Sequence, residues 1–236
     1  MLGLLSLSGI TPAAAQPNAD ELRHQVAAQA QTLHPDEFAF TRTTQSEAQW
    51  NSKTFKNVTV ERFDPAQPAD ARWTLVSVDG APPSAARLRK YRKQAAKRRV
   101  VPGYHRVANY LGAPATASTA ANGTTLFRFD NLPKGSVSIL EKDLSKIASA
   151  EATVSNADGT PYLEQVRFTL TPTRQLILFK IDEYETTLRY RIGPGGKPFL
   201  TASTSDMSGS GLGLKGKLHT ATTYSDYQPA GRPQQP

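Results

Sequence analysis

Between Arg87 and Arg99 the sequence sets eight basic side chains, Arg87, Arg89, Lys90, Arg92, Lys93, Lys97, Arg98 and Arg99, with no acid among them. Residues of this type at this density bind anions: lipid head groups, an acidic protein surface or nucleic acid. The chain holds 28 Lys+Arg against 20 Asp+Glu, and without these eight the balance is 20 against 20. Basicity is therefore local. A neutral body with one basic helix fits an anionic lipid surface or an acidic partner, while nucleic acid is disfavoured because only Tyr91 accompanies the charges as an aromatic platform. The bland use of the same residues is a solvated helix face.

Other chemistry is sparse. His24, His34, His105 and His219 form no H-x-x-H or H-E-x-x-H pair, so no metal is expected. Gly195-Gly196-Lys197 imitates the end of a phosphate loop, but Arg191 stands where such a loop needs glycine, and a hairpin turn is the expected role. The run Gly209 to Gly213 has neither nucleophile-elbow nor dinucleotide spacing and reads as the lead into a strand. Asp182, Glu183 and Glu185 could be imagined as acid/base carboxylates, but they read as solvated residues of a connection between Ile181 and Leu188. No catalytic residue and no cofactor is expected, and the chain reads as a non-enzyme.

The basic run has to be placed by what precedes it. Arg72 to Val78 alternates as a strand, Asp79-Gly80 supplies the positive φ of a tight reversal, and Ser84 can cap a helix. Leu88, Tyr91 and Ala95 give that helix a thin apolar stripe. Earlier, Asp20 to Leu33 repeats apolar residues at helical spacing and stops before Pro35, and strands are expected at about 37–45 and over Lys56 to Phe63. Later, Val107 to Leu111 reads as helical, Gly112 to Thr124 as a low-complexity loop, Leu126 to Phe129 as a short strand, and Ser138 to Ser149 as an ambiguous segment with Ile139, Leu140, Leu144 and Ile147 at helical spacing. From Ala150 onward the pattern is a run of strands joined by short turns, including Tyr162 to Leu170, Leu176 to Ile181, Leu188 to Ile192, Phe199 to Thr204 and Leu212 to Leu218. Consecutive strands with short turns pair antiparallel.

Residues 1–15 read as a signal peptide, an uncharged apolar run ending in small residues with cutting expected after Ala15, although no Lys or Arg precedes the run. Export to the periplasm follows as the expected localisation. With no cysteine, neither a disulfide nor a lipidated cysteine anchors the chain. One domain is expected over residues 20–227, monomeric, with a disordered Pro- and Gln-rich tail at 228–236.

The fold class that results is α+β and mainly β: an incomplete antiparallel β-barrel, a curled meander sheet wrapped around two or three helices. Such a sheet offers more apolar inner surface than so few helices can cover, which predicts a hydrophobic cavity. Trp73, Phe168, Phe179 and Tyr190 are the expected lining residues, as large apolar groups on adjacent strands. A filled core is the alternative, and it would make the chain an envelope structural or assembly module.

The order of elements, the segment Arg72 to Pro83 with Tyr91 in the following helix, and the closing Tyr224-Ser225-Asp226-Tyr227 together resemble the LolA/LolB-like superfamily of periplasmic lipoprotein carriers. The resemblance implies a half-open barrel with helices as a lid, holding lipid or lipoprotein acyl chains. The absence of cysteine departs from the LolB-type lipoprotein and leaves the soluble carrier, with the basic helix docking on an anionic membrane surface or an envelope partner.

Overall fold

Helix α1 (Ala19–Gln31) begins where the sequence supplies both halves of a capping box: Asn18 Oδ1 accepts from the Glu21 amide, and the Glu21 carboxylate accepts from the Asn18 amide. The computed structural model describes residues 18–95, 101–139, 142–156, 159–170, 174–176, 179–211 and 214–230. The signal segment, Leu140, Lys97, Arg98, Arg99 and residues 231–236 lie outside the described residues.

After α1 come β1 (Phe38–Trp50), β2 (Lys53–Phe63) and β3 (Trp73–Val78), then α2 (Ala85–Ala95) and α3 (Val107–Leu111). Strands β4 (Thr116–Thr119), β5 (Thr125–Phe129), β6 (Ser138–Ile139), β7 (Lys142–Asp143), β8 (Ala148–Ser155) and β9 (Tyr162–Leu170) follow. The chain closes with β10 (Arg174–Leu176), β11 (Phe179–Ile192), β12 (Pro198–Gly211) and β13 (Leu214–Pro229). One antiparallel sheet runs β3-β2-β1-β13-β12-β11-β9-β8-β5-β4, with β10 paired to β11. Its ends, β3 and β4, do not meet, so the curled sheet stays open, as the expected incomplete barrel requires.

The signals at the basic helix work locally as read. Asp79 and Gly80 both take positive φ, 51° and 79°, and Val78 and Ala81 exchange backbone hydrogen bonds across them. Ser84 Oγ accepts from the Arg87 amide at 3.3 Å, and Tyr91 and Ala95 are buried. A different device shapes β13: Asp226 takes φ 53°, and the register against β1 slips between Ala39 and Thr41. That bulge turns both Tyr224 and Tyr227, three residues apart, toward the ring of Phe40.

Several expectations are corrected. Ser138–Ser149 is not helical: β6 and β7 form a separate two-stranded ladder, and a 3₁₀ turn at Ser145–Ile147 leads into β8. Buried Ser145 fixes this path by accepting from the Val137 amide and donating to Asp143 Oδ1, side-chain bonds that replace a helical ladder. The loop at 112–124 contains edge strand β4, whose β-branched threonines pair with β5. β11 passes unbroken through Asp182, Glu183 and Glu185, which therefore stand on a strand and not in a connection; the extra residue is absorbed as a bulge between Ile181 and Glu183. Gly209 to Gly211 end β12, where the sequence suggested the start of a strand. β13 likewise continues through Gln228 and Pro229, into the segment read as tail, and the Ala230 amide donates to Glu37 O.

The three helices cover the sheet in two separate places. α1, α3 and the turn at Tyr104–Arg106 pack on β5, β8, β9 and the near ends of β11 and β12, around Val26, Val107, Leu111, Phe127, Leu163, Val166 and Tyr190. α2 packs on β1–β3 around Phe40, Phe63, Trp73, Leu75 and Tyr91. Arg23 ties the first group together: its buried guanidinium donates to Leu111 O at 2.6 Å and Ala113 O at 2.8 Å, satisfying carbonyls that the end of α3 leaves free.

Candidate functional site

Between these two packed regions no helix among the described residues lies on the inner face of the central strands, and the register shows what that face carries. Reading across β2, β1, β13, β12 and β11, one row is Thr59, Thr44, Thr222, Ser203 and Leu188, and the next is Asn57, Ser46, Thr220, Ser205 and Thr186. The third row is Phe55, Ala48, Leu218, Met207 and Tyr184; the fourth is Lys53, Trp50, Gly216, Gly209 and Ile181. Adjacent rows stand about 7 Å apart, two residues along each strand. The inner face thus passes from a belt of hydroxyls to an apolar rim.

Each end of this gradient opens into a cavity. At the rim, a cavity of about 230 Å³ is walled by Trp50, Ile181, Met207, Gly209, Gly216 and Leu218. Both glycines are required by close approach. A Cβ at Gly216 would lie 2.6 Å from the Trp50 ring, and one at Gly209 would lie 2.3 Å from Lys180 O of β11. Trp50 is 41% exposed and Phe55 57%, so the rim presents aromatic surface to whatever fills it.

At the other end, a cavity of about 570 Å³ lies between α2 and the first row, lined by Arg42, Thr44, Thr59, Glu61, Leu75, Arg87, Lys90, Tyr91, Gln94 and Thr222. Arg87, Lys90 and Gln94 border it at helical spacing beside the stripe of Tyr91 and Ala95 that holds α2 down. In its floor Arg42 donates to Glu61 Oε2 through Nε at 2.8 Å and Nη2 at 2.5 Å, and its guanidinium stacks 4.3 Å from the centre of the Trp73 ring. Thr44 and Thr222 hydroxyls are 3.2 Å apart. Burial raises the Tyr224 hydroxyl pKa above its usual value, with the Arg42 cation opposing it, so Tyr224 remains a neutral donor beside the pair.

The sequence-predicted residues are distributed differently from expectation. Trp73, Phe168 and Tyr190 are buried in the packed regions: Trp73 against Phe40 and Phe63, Phe168 edge-on to Tyr110, and Tyr190 edge-on to Tyr104. None of them walls the rim cavity or the cavity under α2. Phe179 opens β11, and its side chain lies outside the described residues. Of the basic run, Arg87 and Lys90 face the cavity under α2, Arg89, Arg92 and Lys93 are exposed and do not line it, and Lys97, Arg98 and Arg99 lie outside the described residues. The sequence reading passed over Trp50, Met207, Leu218, Thr44, Thr220, Thr222, Ser203 and Ser205, although the alternating hydroxyls Thr44 and Ser46, Ser203 and Ser205, and Thr220 and Thr222 were readable in the sequence.

On the outer face, Asp182, Glu183, Glu185, Asp206 and Glu47 border an open cavity of about 690 Å³ with Lys217 and His219. His219 Nδ1 is 2.7 Å from Asp206 Oδ1, and Lys180 pairs with Asp182 at 3.0 Å. No group of His, Asp or Glu among the described residues is arranged to hold a metal ion. No helix among the described residues is long and apolar enough to cross a membrane.

No family model matches the chain, and no curated protein matches it. Among solved structures, the crystal structure of a LolA superfamily protein from Nitrosomonas europaea is similar over 92% of this chain and 96% of that one, at 10% sequence identity and a TM-score of 0.40.

Proposed function

We propose that this chain is an exported, periplasmic carrier or binder of lipid or lipoprotein acyl groups, which it holds on the uncovered inner face of its sheet. The observation that carries the reading is the apolar rim: five strands contribute Phe55, Ala48, Leu218, Met207 and Tyr184 to one row, Trp50 and Ile181 to the next, and a cavity of about 230 Å³ that no described residue fills opens beside them. Apolar surface left concave and uncovered is the form of a ligand site. The two core clusters, around Val26, Leu111 and Tyr190 and around Phe40, Phe63 and Trp73, are filled by the chain's own side chains, so the acyl group is held outside them, towards the open end of the sheet.

The test is mass spectrometry of the native protein after export, with the bound material extracted and identified. Co-purified lipid is expected, and it should be lost in a Leu218→Thr, Met207→Thr variant. A protein that carries no lipid and binds no alkyl amphiphile would refute the reading. The second reading, an envelope assembly module, is favoured by one observation: the large aromatics Trp73 of β3, Phe168 of β9 and Tyr190 of β11 are filled core. It expects a protein partner and no lipid.

A further inference from the structure

We infer that the cavity beneath α2 is a head-group site for an anion, phosphate or carboxylate, on an amphiphile whose tail runs down the inner face to the rim. This rests on the acyl-binding reading and assigns the bound molecule its charge and its direction.

The cations are the first observation. Arg87 and Lys90 border the cavity, and neither has an ion-pair partner among the described residues. The only carboxylate lining it among the described residues, Glu61, is already bonded to Arg42 in the floor. The cavity is therefore bordered by more positive than negative charge, with the exposed Arg87 and Lys90 at the edge of a space large enough for a phosphate. Guanidinium and ammonium groups bind oxyanions through charge-assisted hydrogen bonds, and Arg does so in a two-pronged fashion.

The second observation is the order of the rows. From Thr44 and Thr222 under α2 to Trp50 and Gly216 at the rim is six residues, about 20 Å of strand. The first two rows carry hydroxyls on β1, β13 and β12, and the last two carry apolar groups or glycine there. A molecule with an anionic head, a polar ester or hydroxyl linker and an alkyl tail matches this sequence of surfaces in one orientation only. Reversing it would place charge on the Trp50 wall and methylenes among threonines, at the full cost of burying each in the wrong surroundings.

The experiment compares three probes on the intact chain: dodecyl phosphate, dodecyl maltoside with the same tail and no charge, and inorganic phosphate. The wild type is expected to bind dodecyl phosphate about tenfold more tightly than dodecyl maltoside, as two unpaired cations predict, and inorganic phosphate far more weakly. An Arg87→Gln, Lys90→Gln variant should lose the preference while its affinity for dodecyl maltoside is unchanged. An Arg89→Gln, Arg92→Gln variant, which removes the same charge from outside the cavity, should keep it. Equal binding of both amphiphiles by the wild type, or equal loss in the two variants, overturns the head-group site and leaves acyl binding intact. Inorganic phosphate binding as tightly as dodecyl phosphate overturns the amphiphile in favour of a free anion. Binding of neither amphiphile refutes the acyl-binding reading itself.

Discussion

Lengthening the tail of a bound amphiphile one methylene at a time measures the apolar rim directly. Each methylene moved from water onto an apolar wall contributes about 0.8 kcal/mol, or about fourfold in Kd. For alkyl phosphates whose head sits under α2, the first methylenes cross the hydroxyl rows of Thr222, Ser203, Thr220 and Ser205 and gain little. Those that reach Ala48, Leu218 and Met207 should gain the full fourfold each, until the tail passes Trp50 and the gain stops. A plot of log Kd against chain length is thus expected to have three segments: shallow, steep and flat. Leu218→Thr with Met207→Thr extends the hydroxyl surface by one row with a strand-favouring residue, and should reduce the steep segment to below about twofold per methylene. Isothermal titration calorimetry across the series gives the slopes, and Trp50 emission reports arrival at the rim. A slope uniform from the shortest tail, or a steep segment untouched by the double substitution, would refute the placement of the tail.

Three further outcomes follow from particular contacts. Gly216→Ala puts a methyl 2.6 Å from the Trp50 ring, so the ring must leave the rim; a red shift of tryptophan emission and a loss of about 1 kcal/mol in urea unfolding are expected, and unchanged emission would contradict the geometry. Arg23→Met keeps the packing of the stem but leaves Leu111 O and Ala113 O without their donor, which should cost about 3 kcal/mol by the same assay. Burial raises the pKa of Tyr104, Tyr110, Tyr190, Tyr224 and Tyr227 above the usual phenol value. Since the folded pKa lies above the unfolded one, this stability is complete below about pH 10 and falls as pH rises further, by about 1.4 kcal/mol per pH unit for each tyrosine that ionises on unfolding; melting temperatures between pH 8 and 11.5 would show the break.

The strands and their order were largely legible because alternation and turn chemistry act locally. Tyr162–Leu170 was bounded correctly by its period, and Asp79-Gly80 and Ser84 placed the start of α2. Ser138–Ser149 misled because Ile139, Leu144 and Ile147 fall at helical spacing, while the groups that decide the path are polar: Ser145 and Asp143 bond the backbone in a way no hydropathy pattern records. The long strands β11 and β13 were cut short for a related reason. Asp182, Glu183 and Glu185 look like a turn, but a central strand with one solvated face tolerates carboxylates on that face, and the bulge between Ile181 and Glu183 hides the period. The site was hardest of all. Large aromatics were taken for cavity walls, yet Trp73, Phe168 and Tyr190 sit where helices pack, because a helix needs large side chains opposite it to fill the gap. Uncovered positions instead carry Thr, Ser, Met and Leu, and which rows stay uncovered depends on where α1 and α2 lie, a tertiary fact.

That division of the inner face has a physical logic. With three helices among the described residues over a sheet this wide, several central rows are left without a helix on them. Were all of these rows apolar, the free protein would expose a continuous greasy surface of the kind that drives aggregation. Threonine and serine keep the β-strand geometry of Val and Ala while hydrating the face, so the hydroxyl rows let the sheet stay open in water at little cost. Apolar groups are then confined to the rim, where Lys53 stands in the last row beside Trp50 and charged residues flank the strand ends. The same distribution gives the groove its polarity: cations under α2, hydroxyls in the middle, hydrocarbon at the mouth. On the proposed reading, an acyl chain would gain most of its binding free energy in the last two rows, which would leave it anchored close to the opening.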